Sequence, residues 1–139
     1  GPVMVFDTAC SSSIVALHVA RRSLQHFDAA QGLVLGVNLV LVPSAAHVGP
    51  AATGMLSVMG RCHTFDERAD GYLRGEGCCA TSIIAGVDVM LGSAAKHNGQ
   101  SATFTALNGS SQQAVIHASL QDARAPLVAT LEAHGTGTS

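Results

Sequence analysis

The sequence predicts an α/β layered fold, in which short apolar strands alternate with helix-like stretches. Three observations carry that reading. Residues 32–42 (GLVLGVNLVLV) are a nearly continuous apolar run, the pattern of a strand covered on both faces. Residues 3–6 (VMVF) form a run too brief for a helix, and helical spacing begins directly after the next few residues. Near the other end a helical stretch is followed by LVATLEAH (127–134), strand-like and closed by a histidine and a glycine turn.

Taken in order, VMVF is a buried strand and a tight turn follows it. From Ser11 a helix runs on, with Ile14, Leu17 and Val19 through Leu24 carrying apolar positions at helical intervals, and Arg21, Arg22 and Gln25 outward. Pro43 ends the strand at 32–42, and residues 44–60, rich in Ala, Gly and Met, are helical in part. Residues 61–77 (RCHTFDERADGYLRGEG) break the apolar pattern and read as a long polar loop, a feature that is uncommon in small domains and usually functional. Residues 78–84 are again strand-like, while 86–109 stays open, with glycines, Asn98 and Asn108 as turn signals. Ser110 or Ser111 caps a helix over about 112–123, where Val115, Ile116 and Leu120 share a face and Ala125-Pro126 stops it. Met55, Met59 and Met90 read as core fillers. No tandem repeat and no low-complexity segment interrupts the pattern.

Composition narrows the function classes. The chain has 139 residues, enough for one modest domain, and is 47% hydrophobic but only 4% aromatic and 12% charged, with 15 glycines. Its core is therefore built from Ala, Val, Leu and Ile, and the low charge argues against disorder. Net charge is −2 and the seven basic residues form no run, which argues against a nucleic-acid partner. No stretch reaches the roughly 18 apolar residues of a membrane span. The four cysteines, Cys10, Cys62, Cys78 and Cys79, contain no Cys-x-x-Cys pair. They read as free thiols in a reducing, cytoplasmic compartment, an organelle remaining compatible with that chemistry. Cys62-His63 with Cys78 or Cys79 has irregular spacing for a metal, and no metal is expected.

Two stretches carry chemistry. Cys10 stands where an apolar run gives way to a helix, in FDTACSSSIVALHVA (6–20). There its sulfur would lie over unpaired backbone N–H groups at the positive end of a helix dipole, which favours a thiolate nucleophile. A sharp strand-to-helix turn exposes such a side chain, and the small neighbours Ala9, Ser11, Ser12 and Ser13 let a substrate carbonyl approach backbone donors. The competing reading is a small buried hydrophobe, the commoner state of a free cysteine. The second stretch is EAHGTGT (132–138). A histidine at a strand's C-terminal end, followed by glycines, can project into the crevice where α/β sheets bind ligands, and Thr136 and Thr138 add hydroxyls. A core or turn histidine is the alternative. A dinucleotide reading of Gly135-x-Gly137 lacks its third glycine.

Together, DTACSSS and EAHGTGT resemble the active-site signatures of β-ketoacyl synthases, and more narrowly the ketosynthase domain of type I or modular polyketide synthases. GVNLVLVPSA, GRCHTFDERADGYLRGEGC (60–78) and TALNGSSQQAVIHASL (105–120) extend the resemblance over most of the chain. It implies a thiolase-like α/β/α fold, of which residues 1–139 would be a partial ketosynthase domain, cut at both ends: the nucleophile half plus the start of the second half. It implies that Cys10 takes an acyl chain from the phosphopantetheine of an acyl carrier protein. Decarboxylative Claisen condensation with a malonyl-type unit then follows, making the enzyme an acyltransferase. His134 would hydrogen-bond the thioester oxygen, and Thr136 and Thr138 would sit by the phosphopantetheine arm. The resemblance further implies that no cofactor is bound directly, that the partner is acyl carrier protein and that the full domain is a homodimer.

The chain also departs from the pattern. The family's second histidine, in an Asn-Ala-His context, its lysine and a glycine-rich oxyanion loop are not in this sequence. His18, His26, His47, His63, His97 and His117 stand in no such context and read as structural or surface residues. Between Gly77 and Gly92 the chain is shorter than the pattern, with TSIIAGVDVML in place of a basic, Leu-containing stretch. The isolated chain is accordingly expected to be inactive. Alternatives are a non-catalytic scaffold that docks carrier protein, the ketosynthase of a fatty-acid synthase, and a thiolase-fold enzyme acting on coenzyme A esters.

Overall fold

The computed structural model describes residues 1–86, 90–100 and 106–138. Among the described residues five regular elements follow in order: α1 (Ser12–Gln25), β1 (Gln31–Asn38), α2 (Pro43–Ala52), β2 (Gly77–Ile84) and α3 (Gly109–Ala123), with a 3-10 turn at Ala9–Ser11 before α1. β1 and β2 pair as a two-stranded sheet. The chain divides into two compact units, one of Gly1–Leu35 with Ala80–Ala129 and one of Gly36–Cys79 with Thr130–Ser139.

In the first unit α1 and α3 are tied by charge. Arg21 Nη1 lies 2.6 Å from Asp122 Oδ2, and Arg22 Nη2 lies 3.1 Å from Asp122 Oδ1. Arg21 Nη2 also donates to the Leu91 carbonyl at 2.6 Å, and the Ser93 N–H donates to Asp122 Oδ2 at 2.9 Å. His18 Nδ1 is 2.8 Å from Ser93 Oγ, which is buried. The expected outward Arg21 is thus a correction: its side chain is only 11% exposed, because a carboxylate 101 residues away in sequence draws it inward. Gly92 makes this packing possible, since a Cβ there would stand 2.4 Å from the Ser119 carbonyl oxygen. Leu24 and Val34 are the buried apolar side chains among the described residues.

α3 starts one turn earlier than the serines suggest. Asn108, not Ser110 or Ser111, is its N-cap, accepting the Ser111 N–H at 3.0 Å. Its end precedes Pro126, at Arg124 in the left-handed region (φ +52°), whose N–H reaches the Gln121 carbonyl at 3.1 Å.

In the second unit Pro43 starts α2 rather than merely ending a strand, as its missing N–H and fixed φ favour at a first helical position. Residues 61–77 form the polar loop expected, up to the start of β2. An isolated parallel bridge ties Tyr72 within the loop to Leu56 before it, with Tyr72 N–H on the Met55 carbonyl (3.0 Å) and Ser57 N–H on the Tyr72 carbonyl (3.1 Å). The Val40 N–H donates to Glu76 Oε1 at 2.6 Å, and Asn38 Nδ2 donates to the Gly75 carbonyl.

Two predicted strands are not formed. Residues 3–6 and 127–134 carry no strand, and β1 ends at Asn38 instead of residue 42. An apolar run becomes a strand only where its N–H and C=O groups meet another edge. Val3 and Val5 stand almost fully open, at 95% and 94% exposure. Met59 is exposed rather than a core filler.

Candidate active site

The turn before α1 explains the residues around Cys10. Ala9, just before the cysteine, has φ +56°, a conformation that L-residues with a Cβ seldom adopt. Every polar neighbour works to hold it. The Ala9 N–H donates to Asp7 Oδ1 at 3.2 Å, and Ser12 Oγ donates to the Ala9 carbonyl at 2.7 Å while accepting the Thr8 N–H at 2.9 Å. Ser11 Oγ lies 2.9 Å from the Thr8 carbonyl and 2.8 Å from Thr8 Oγ1. Asp7, Thr8, Ser11 and Ser12 therefore brace a sharp turn that leaves Cys10 exposed at the entrance to α1, so the buried-hydrophobe reading of Cys10 fails. All four cysteines are free thiols. Cys62 is engaged in its own loop, where its Sγ accepts the Leu73 N–H at 3.2 Å.

His134, Thr136 and Thr138 lie in the second unit, on a turn pressed against the polar loop. Thr64 Oγ1 donates to the Gly135 carbonyl, and the Gly71 N–H donates to the Gly137 carbonyl at 3.1 Å. Both turn glycines have positive φ, +52° at Gly135 and +71° at Gly137. A Cβ on Gly135 would also stand 2.7 Å from Thr64 Cγ2, so close approach and backbone conformation both call for glycine. Thr136 Oγ1 and Thr138 Oγ1 are 3.0 Å apart, and the His134 side chain is exposed. The structure thus gathers three of the four expected site residues on one turn and places Cys10 in the other unit. Thr64 and Gly71 escaped sequence reasoning, because their partners lie more than 60 residues away along the chain.

Among the described residues three carboxylates are shifted. The side chain of Arg68 holds the Asp66 carboxyl far below the usual range, with Arg68 Nη2 at 2.7 Å. Asp70 is lowered chiefly by the Ser57 hydroxyl, with the Val58 N–H at 3.0 Å on its Oδ2. Asp122 is lowered chiefly by the Ser93 N–H and then by Arg21, against the opposing effect of burial. Among the described residues no three His, Cys, Asp or Glu side chains gather as a metal site, and no helix is long and apolar enough to cross a membrane.

Residues 1–88 match the family described as Beta-ketoacyl synthase, N-terminal domain, and residues 87–139 match its C-terminal domain. The chain belongs to the β-ketoacyl synthase family. It is 42% identical over 151 positions to a phenolphthiocerol/phthiocerol polyketide synthase of Mycobacterium tuberculosis, covering 99% of this chain and 7% of that protein. It is 39% identical over 150 positions to a highly reducing polyketide synthase of Aspergillus ruber, covering 99% of this chain and 6% of that protein. Both alignments are longer than the 139-residue chain, so the relatives carry residues with no counterpart here.

Among solved structures, the ketosynthase from module 6 of the bacillaene synthase of Bacillus subtilis superposes with a TM-score of 0.92 at 33% identity, over 99% of this chain and 27% of that one. An oxazolomycin ketosynthase domain of Streptomyces albus does so with 0.92 at 35% identity and the same coverage. The fold is therefore that of ketosynthase domains, the thiolase-like α/β class. The chain is a partial ketosynthase domain of the polyketide synthase type, spanning about a quarter of those structures' chains and under a tenth of the curated relatives.

Proposed function

We propose that this segment carries the acyl-accepting cysteine and one catalytic histidine of a polyketide-synthase ketosynthase, an acyltransferase that elongates chains presented on acyl carrier protein. Supporting this above all is the braced turn, which exposes Cys10 at the start of α1 beside small residues and backbone N–H groups.

In the first half-reaction the Cys10 sulfur attacks the thioester carbonyl of an acyl chain held on phosphopantetheine. The tetrahedral oxyanion is stabilised by backbone N–H donors, the C–S bond to the pantetheine breaks, and that sulfur leaves with the proton. In the second, a malonyl-type thioester loses carbon dioxide, and its C–C bonding pair becomes an enolate. His134 donates a hydrogen bond to the thioester oxygen as this charge develops. The enolate carbon then attacks the acyl-Cys10 carbonyl and expels the Cys10 thiolate, leaving a chain longer by two carbons on the carrier. Thr136 and Thr138 hydrogen-bond the phosphopantetheine arm. No resident cofactor takes part, acyl carrier protein is the partner, and the complete domain works as a homodimer. This 139-residue stretch by itself does not condense, since the second histidine and lysine of the family pattern are not in it.

Mass spectrometry of a proteolytic digest tests the proposal on the complete synthase polypeptide given an acyl thioester. One acyl mass is expected on the peptide holding Cys10, lost in Cys10→Ala while Cys62, Cys78 and Cys79 remain. An unmodified Cys10, or equal acylation of all four thiols, would overturn it.

A further inference from the structure

We propose that Thr64 is a positioning residue for His134, acting through the Gly135 carbonyl; the inference rests on the catalytic reading of His134 given above. The His134 side chain is exposed, and no hydrogen bond restrains its ring among the described residues. The chain leading to it, 127–134, belongs to no helix or strand, so no ladder orients the histidine from its N-terminal side. On its C-terminal side the backbone is gripped twice, by the Thr64 hydroxyl on the Gly135 carbonyl and by the Gly71 N–H on the Gly137 carbonyl. Gly137 is one residue beyond Thr136, whereas Gly135 adjoins His134 itself, which makes Thr64 the side chain that sets the histidine's direction.

The grip is steric as well as polar. Thr64 Cγ2 occupies the space a Cβ on Gly135 would need. The loop behind Thr64 is itself anchored, through the Leu56–Tyr72 bridge and through Asp70, whose Oδ2 accepts the Val58 N–H. A group that stabilises developing charge must be placed within a fraction of an ångström, and a displacement of about 1 Å is enough to lose roughly a hundredfold in rate. Thr64 touches no reacting atom in this scheme, and its effect falls on one half-reaction only.

The test separates the half-reactions in the complete synthase polypeptide with its acyl carrier protein. Thr64→Val keeps the shape and removes the donor. It is expected to slow malonyl decarboxylation and condensation about ten- to a hundredfold, while acyl loading of Cys10 stays within about twofold, and Thr64→Ser, which keeps the hydroxyl, restores condensation. Equal losses in both half-reactions, or no loss in either, overturn the proposal.

If Thr64→Val does not fold, Thr64→Ala, which removes both the hydroxyl on the Gly135 carbonyl and the methyl beside it, decides. Condensation is expected to fall while acyl loading of Cys10 stays within about twofold; equal losses, or none, overturn the proposal. Failure of Cys10 to load any acyl group at all would instead overturn the function proposed above, and the two failures are distinguishable.

Discussion

Ala9 pays for its left-handed conformation with about 1–2 kcal/mol, the penalty of an L-residue there. The Ser12 hydroxyl, bonded both to the Thr8 N–H and to the Ala9 carbonyl, offsets it. Ser12→Ala removes two hydrogen bonds worth about 1 kcal/mol each. It is expected to lower thermal stability and to slow Cys10 acylation severalfold, measured by melting and by the mass-spectrometric time course. Asp122 carries a different residue-scale prediction. Its carboxyl is held below the unfolded value of about 3.9 by the Ser93 N–H and by Arg21. A group lowered on folding contributes stability above the unfolded value and loses it as pH falls through the folded one. Stability is thus expected to decline below about pH 4. Asp122→Asn should be less stable at neutral pH and show a shallower decline in acid, as read by denaturant titration across pH. The DTACSSS turn is legible in sequence because its partners are neighbours; Arg21 and Asp122 are not, since no periodicity links positions on separate helices.

At the scale of elements, local signals succeed where the hydrogen bonds are local. β2 lies where the run 78–84 indicates and α1 follows the cysteine turn, because side-chain period and helix-start chemistry are written within a few residues. Segments 3–6 and 127–134 are equally apolar, yet form no strand: strandhood depends on a neighbour's edge, which no run of residues contains. The cap of α3 is ambiguous in sequence for a subtler reason. Asn108, Ser110 and Ser111 are all capping types, and only the geometry shows that Asn108 accepts the Ser111 N–H. Asn108→Ala is therefore expected to cost about 1 kcal/mol of stability, and Ser110→Ala almost nothing, in chemical denaturation of the two variants side by side.

For the molecule as a whole, the family is readable because its signatures are short and contiguous, whereas the grip of Thr64 on the Gly135 carbonyl joins residues 71 apart. What the chain leaves uncovered is also a physical statement. Val3, Val5, Leu33 and Leu35 in the first unit, and Leu41, Val58 and Leu73 in the second, are exposed apolar side chains. β2 is open at seven of its eight positions. Exposed apolar patches and unpaired extended backbone are the features that drive association with another chain. The 139-residue chain alone is thus expected to bind a dye that fluoresces on apolar surface and to elute from size exclusion as concentration-dependent oligomers. Val3→Thr with Val5→Thr keeps the β-branched shape and adds a hydroxyl at two of the most open positions, so it should lower both signals. A dye-silent monomer at all concentrations would mean that these side chains find cover within the chain itself, and the apolar surface described here would not persist in solution.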